Sequence, residues 1–461
     1  MKLSVYLLFT VLIGVVMLAS CAQDDTPRAY TVESEGSSIS PFTRVTLANG
    51  LEVMVKEAHS APIVAVYLWC KTGSVNEEDR VQGISHFYEH MFFKGTEKRG
   101  VGEIDRVVKS LGGYNNAFTS KEYTGYLVVL PSANFTLAAD VLVDAIRNSL
   151  FPAEEIEKER GVINEEINRK EDDPTGALYE ELFRVMFPGT PYAHEVLGSK
   201  ETVANITRED FRNYLASHYV PNNLAAVVVG DVDTKTAVEE FRRLTADWKP
   251  DPAIESRKVS FEVPDFPGIH EVTLERDVNM TYVMMAFQST GYQDERENAA
   301  LDVLSSVMGE GHSSRLYRRI IEQEKIASSV QAFINPLTKA GMIMVMGTMA
   351  KENVPRFREV VLEEIQQLRA EPIAPDELRK VKTMLKADFQ FSNETAADIA
   401  QTIGYYHTLG ILDRATRYES TIDSVTAQDV QAFANAILTP ESYTIGVLNQ
   451  KPSPAAEVPG E

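Results

Sequence analysis

Alternation of apolar and polar side chains marks the first elements of the chain. Residues 43–55 and 63–71 alternate, with Asn49-Gly50 between the first runs, as paired strands do. Residues 125–130 and 224–229 are short apolar runs and predict two more strands. Apolar positions recur with helical spacing over roughly 83–94, 102–111, 133–149, 153–172, 175–186 and 207–218. Strands interleaved with long helices in this way mark a chain of mixed sheet and helix.

The second half repeats the first. Ile206-Thr207, Asp210 and Pro221 are matched by Val425-Thr426, Asp429 and Pro440 at a common offset of 219 residues. Each match stands at the start or end of a helix that leads into a strand, over 222–229 and over 443–448. Pro152 and Glu155-Ile156 likewise match Pro375 and Glu377-Leu378, at an offset of 222 to 223. A collinear series with a drift of a few residues indicates duplication. The expected organisation is a signal peptide (1–20), a flexible tether (21–41), an N-terminal domain (42–245), a Pro-rich linker (246–268), a homologous C-terminal domain (269–450) and a disordered tail (451–461).

The first residues read as an address. Lys2 supplies a positive start, 3–19 is an apolar run, and Leu18-Ala19-Ser20-Cys21 closes it. The run approaches the about 20 residues of a membrane span, which is the alternative reading. A cysteine directly after small residues, with Gln23-Asp24-Asp25 behind it, resembles a bacterial lipobox instead. Cys21 would then carry lipid, and Ala22 after it favours the outer membrane, with the protein facing the periplasm.

Composition narrows the function. The 461 residues carry 45 basic and 67 acidic side chains, a formal charge of −22. Such a field repels phosphate backbones and argues against a nucleic-acid partner. Two cysteines, Cys21 and Cys70, exclude a disulfide scaffold and a Cys-rich zinc finger. Cys70 lies beside an apolar run and reads as a small core residue.

The candidate chemistry sits in the first copy. In the run 83–93, with His86 set at 0° on a helical wheel, His90 falls at about 40° and Glu89 at about 300°. Apolar residues fill most other directions, so the helix is buried and carries one narrow polar patch. Buried imidazole and carboxylate need partners or a metal. His86-x-x-Glu89-His90 is the inverted zinc-protease pattern, two imidazoles one turn apart with a glutamate facing the same cavity. Catalytic zinc takes three protein ligands. On the acid-rich helix that follows, Glu159 and Glu166 fall within the apolar stripe of Ile156, Val162, Ile163 and Ile167, whereas Glu165 points away. The two inward carboxylates call for a cation, either a metal or an arginine or lysine of a neighbouring helix.

Together, His86-x-x-Glu89-His90 and Glu166 resemble the pitrilysin/insulinase family of zinc peptidases. Gly112-Gly113-Tyr114-Asn115-Asn116-Ala117-Phe118-Thr119, Pro191-Tyr192 with Gly198, and Tyr219-x-Pro221-Asn222-Asn223 running into Gly230-Asp231 extend the likeness over 42–450. The resemblance implies an α+β fold of two homologous domains, each a mainly antiparallel sheet packed with helices, forming a half-clamshell. It implies His86, His90 and Glu166 as ligands of one Zn2+ per chain, Glu89 as general base, and Glu159 as a supporting carboxylate in the catalytic set. Zinc would polarise the scissile carbonyl and acidify a water whose proton Glu89 takes and passes to the leaving amine. Asn116, Ala117 and Phe118 resemble the family's substrate-binding edge strand, which favours extended or unfolded peptides.

The second copy lacks the zinc motif. Ser314-Arg315-Leu316-Tyr317 aligns with the family's lead-in to an arginine and a tyrosine that complete the site, but those two positions fall on Ile321 and Ser328. Neither side chain replaces a cation or a phenol at an oxyanion. The expectation is therefore the zinc-bearing subunit of a heterodimer, whose homologous partner carries the Arg/Tyr pair. Two alternatives are a silent peptide-binding scaffold lipoprotein and a homodimeric oligopeptidase with a substitute cation such as Arg319.

Overall fold

The computed structural model describes residues 28–32, 37–292 and 294–451. Cys21 and the signal run, and all but the first residue of the 451–461 tail, lie outside the described residues.

The first copy builds a seven-stranded sheet from β1 (Arg28–Val32), β2 (Phe42–Thr46), β3 (Glu52–Glu57), β4 (Ile63–Cys70), β5 (Tyr114–Thr119), β6 (Thr124–Pro131) and β7 (Leu224–Gly230), in the order β1-β2-β3-β7-β4-β6-β5. Its helices are α1 (Ile84–Phe92), α2 (Glu103–Ser110), α3 (Phe135–Asn148), α4 (Ala153–Asp172), α5 (Pro174–Met186), α6 (Lys200–Asn205), α7 (Arg208–His218) and α8 (Thr234–Leu244). The second copy has β8 (Ile269–Arg276), β9 (Thr281–Thr290), β10 (Ser329–Pro336), β11 (Ala340–Met349) and β12 (Tyr443–Gln450), in the order β10-β11-β9-β12-β8. Around it lie α9 (Glu295–Gly309), α10 (Val354–Ala370), α11 (Pro375–Phe391), α12 (Ala396–Thr408), α13 (Leu412–Ser424) and α14 (Ala427–Ile437), with a π-helix at Tyr317–Gln323.

The two orders superpose. β3-β7-β4-β6-β5 and β8-β12-β9-β11-β10 each contain one parallel pair, β3 with β7 and β8 with β12, in an otherwise antiparallel run. Two of the matched sequence pairs are helix starts: Thr207 and Thr426 cap α7 and α14, and Asp210 and Asp429 close the capping boxes. The α+β class and its two mainly antiparallel sheets are therefore as the resemblance implies.

Two expectations change. β4 does not pair with β3; β7 enters between them, so β3 and β4 are brought side by side only through a strand more than 150 residues away. The tether is not wholly free, because Arg28–Val32 forms an edge strand against β2 and Ile39 is fully buried. The linker is also seated: Ile254 is buried, and Phe261, Val263 and Phe266 pack on the second sheet.

Each sheet has a large core on one face, formed with its own helices. The other faces are covered by exchange. α12 of the second copy lays Ile399, Ala400 and Ile403 on β4 and β7 of the first, and α5 of the first copy lays Leu178, Leu182 and Phe183 on the second sheet. The exchange makes one body of the two copies and leaves β5 at the free edge of the first sheet.

Candidate metal centre

The site is built on α1. This helix starts at Gly83, whose φ of 92° suits glycine, and no side chain of the helix itself caps it. Glu77 does so from six residues upstream, accepting from the amides of Gly83 (2.7 Å) and Ser85 (2.8 Å). Burial pushes the Glu77 carboxyl up to about 7. Gly83 also abuts Gly198, where a Cβ would meet the Gln82 carbonyl at 2.3 Å. The helix carrying the motif is thus fixed at its first turn. Nothing in the spacing of the sequence singles out Glu77.

On this helix His86 and His90 stand with ring centroids 4.7 Å apart. Across from them, Glu166 of α4 brings Oε2 to 3.6 Å from His86 Nε2 and 3.4 Å from His90 Nε2. One donor atom from each of these residues lies within 4.8 Å of the others, and among the described residues they form the one such cluster of three or more ligand-type groups. Donors bonded at about 2.0–2.1 Å to one tetrahedral zinc lie roughly 3.4 Å apart, so separations too long for good hydrogen bonds fit a shared ion. Burial and the neighbouring His90 push His86 down to about 3, which keeps the imidazole neutral and its lone pair free for a metal. Two histidines and a carboxylate are a zinc-type donor set.

Glu89 lies beside the three ligands and not among them. Its Oε2 accepts from the Thr119 hydroxyl at 2.6 Å, and burial raises its carboxyl above the ordinary range. Glu159 supports the site from behind a ligand. Seven residues separate it from Glu166, a rise of about 10.5 Å along the helix, so the two cannot share one ion. Glu159 instead accepts from Nδ1 of His90 at 3.0 Å and pairs with Lys94, behind the ligand. It positions His90 and is not a catalytic group. Glu165 is exposed as expected, but Val162 is 42% exposed and does not belong to the buried stripe.

Asn116, Ala117 and Phe118 lie on β5, at the sheet edge nearest α1. Asn116 is exposed, whereas the Phe118 ring packs at 5.0 Å from Trp69, towards the second copy. The main chain of this strand, not the Phe118 side chain, is what a groove ligand would meet. A cavity of about 490 Å³ lies further along α4, lined by Ile167, Lys170, Glu180, Arg184 and Glu195, and does not include the three converging donors. Cys70 is fully buried against Asn223 and the His218 carbonyl, and burial pushes its thiol up, as befits a core residue.

The second copy differs at the corresponding helix. Arg80 before α1 and Arg296 in α9 each pair with the capping aspartate, Asp210 or Asp429. Six residues after Arg80 stands His86; six after Arg296 stands Asp302. Asp302 is buried and pairs with the Arg414 guanidinium at 3.2 Å, so this buried carboxylate is balanced by a side chain of its own copy. Ile321 lies in the π-helix, packed against the second core, and the Ser328 hydroxyl donates to the Thr348 carbonyl. Arg319 is held by Glu324, Glu363 and Glu364.

Residues 52–200 match the family description Insulinase (Peptidase family M16), and residues 205–385 match Peptidase M16 inactive domain. The chain belongs to the M16 peptidase family. It is 29% identical over 419 residues to a probable mitochondrial-processing peptidase subunit beta of Arabidopsis thaliana, covering 88% of this chain and 78% of that one. It is 27% identical over 417 residues to the uncharacterized zinc protease YmxG of Bacillus subtilis, covering 90% and 99%. A protease from Helicobacter pylori shares the fold with a TM-score of 0.83 at 24% identity, over 92% of this chain and 99% of the other. All four motif residues, His86, Glu89, His90 and Glu166, fall in the part that matches the peptidase description, and the part that matches the inactive domain begins after them.

Proposed function

We propose that this M16 chain is a zinc-dependent endopeptidase of extended peptides, acting as the zinc-bearing half of a heterodimer. The observation that carries the reading is the convergence of His86, His90 and Glu166 with Glu89 beside them, at the open edge of β5. An inactive scaffold has no use for a desolvated carboxylate next to a complete ligand set. His86, His90 and Glu166 would hold the ion. Zinc in such a site supplies a Lewis acid for a peptide carbonyl and acidifies a water.

The chain's own groups do the rest. The free edge of β5 offers backbone N–H and C=O groups to an extended peptide, which reads main-chain extension and not a particular sequence. Glu89, partly desolvated and raised in pKa, accepts the proton of the attacking water and delivers it to the departing amine nitrogen. Glu159 keeps His90 in the tautomer that presents Nε2 to the ion.

The heterodimer part of the reading rests on what is missing. Ile321 and Ser328 offer no cation or phenol, and the guanidinium of Arg319 is saturated by three carboxylates. The Arabidopsis relative is named as a subunit, in keeping with this division. The lipobox-like Leu18 to Cys21 supports a lipid-anchored protein at the periplasmic side of the bacterial outer membrane. Among the described residues no helix is long and apolar enough to cross a membrane.

The test is cleavage of an internally quenched peptide by the purified chain, with and without a co-purified homologue bearing the Arg/Tyr pair. The expected result is one bound zinc, chelator-sensitive cleavage that rises strongly with the partner, and loss of at least about a hundredfold in kcat for Glu89→Gln. A metal-free protein, or one indifferent to Glu89→Gln, would return the scaffold reading. Full activity of the chain alone would leave the peptidase and remove the heterodimer.

A further inference from the structure

Thr119 ends β5, and its hydroxyl donates to Oε2 of Glu89 at 2.6 Å. Side chains alternate along this strand. Asn116 is exposed and Phe118 goes to the face covered by the second copy. On the other face Asn115 donates to Asp105 of α2, Ala117 packs against the first core, and Thr119 reaches Glu89. One residue of the edge strand therefore touches the carboxylate that lies beside the ligand cluster.

The turn that follows is anchored on several sides. Ser120 N–H donates to the Tyr123 carbonyl at 2.8 Å, and Val75 N–H donates to the Lys121 carbonyl at 2.9 Å. The buried Lys121 ammonium donates to the His194 carbonyl at 2.6 Å. Glu122 accepts from Tyr192 at 2.8 Å and from the backbone amide of Thr338, in the β10–β11 turn of the second copy, at 3.0 Å. Thr119 is thus held by a turn fastened to both copies. A carboxylate on a flexible glutamate stem gains a fixed orientation from a donor on so rigid a support.

We propose that Thr119 is the positioning residue of Glu89, and that its hydroxyl joins the general base to the strand that pairs with substrate. The inference rests on the peptidase reading above. With base and strand in one rigid piece, a peptide added to β5 presents its scissile bond at a constant distance from the Glu89 oxygen that takes the proton. A hydroxyl that merely satisfied a buried carboxylate would contribute to stability and leave turnover unchanged.

The test compares wild type, Thr119→Ser, Thr119→Val and Glu89→Gln as full chains, with the partner wherever activity requires it. Turnover of an internally quenched peptide, zinc affinity by chelator competition, and affinity of the metal-free chain for the same peptide by fluorescence anisotropy are measured on each. Thr119→Val removes the hydroxyl at nearly constant shape and is expected to lower kcat about 10-fold to 100-fold with KM within about twofold. Thr119→Ser restores kcat to within about threefold, and zinc and metal-free peptide affinities stay at the wild-type values in both. Full kcat in Thr119→Val, equal impairment in Thr119→Ser, or zinc or peptide affinity falling in step with kcat would each overturn the inference. Wild type that never cleaves overturns the peptidase reading and this inference with it. Wild type that cleaves beside an unimpaired Thr119→Val overturns this inference alone.

Discussion

The two inward glutamates of α4 look alike in sequence and differ in role because a helix rises only about 1.5 Å per residue. Glu166 reaches both Nε2 atoms, whereas Glu159, two turns earlier, reaches Nδ1 of His90 and the Lys94 ammonium. Substitution should separate them. Glu166→Gln is expected to abolish zinc binding at micromolar metal, because a direct charged ligand is lost. Glu159→Gln should weaken zinc by about 10-fold to 100-fold, since it disturbs only the partner that orients the ligand ring. Competition with a chromogenic chelator reads both, and equal losses would show that Glu159 is not confined to the outer nitrogen of His90. Helical projection is sufficient to turn both carboxylates inward, since that is a one-helix property. It misplaces Val162, because which flank of a buried stripe meets a neighbour depends on the helices packed beside it.

At the level of elements, the legible features are those encoded within about ten residues. The motif helix, the long α4, and the capping pairs Thr207/Asp210 and Thr426/Asp429 are where their local patterns predict. The insertion of β7 between β3 and β4, the seating of Ile39, and the placing of α12 on the opposite copy's sheet are not in the local pattern. They are decided by which distant apolar faces remain uncovered. α12 shows how tight the exchanged contact is. A Cβ on Gly404 would lie 1.9 Å from Nε1 of Trp69 on β4, so the helix must draw back or the indole must move. Gly404→Ala is expected to cost about 1–3 kcal/mol, read as a lower urea midpoint. Gly161 in α4 is exposed, and a Cβ added there would meet nothing within 4 Å. Gly161→Ala should therefore raise stability by about 0.5–1 kcal/mol through helix propensity. Opposite signs for the same substitution would tie the first effect to packing and not to glycine chemistry.

Taken whole, the molecule is held as one body by helices that each copy lends the other, and the lent helix α12 brings a buried histidine, its pKa lowered by burial, to a carboxylate of the first sheet. His407 of α12 lies 2.8 Å from Glu52 of β3, which also pairs with Arg44 of β2 and, at 3.5 Å, with Lys71. Burial pushes the Glu52 carboxyl up, but His407, Arg44 and Lys71 together outweigh it and hold the group at about 2. Above pH 4.5, the ordinary value for this side chain, the carboxyl is ionised in folded and unfolded chains alike, and its contribution to stability is present in full. As pH falls from about 4.5 towards 2 the unfolded chain takes up the proton first, so the contribution is lost across that window. With allowance for screening of a partly solvated group, it amounts to about 2 kcal/mol. Unfolding free energy measured by urea at pH 7 and pH 3 should therefore fall less in Glu52→Gln than in wild type, by about 1 kcal/mol, because pH 3 lies part-way through the window. Because the contact joins the copies, the acid-sensitive step should also move the fluorescence of Trp69, which is buried under α12. A pH dependence unchanged by Glu52→Gln would assign the acid sensitivity to other carboxylates and leave the exchanged helix held by its apolar face alone.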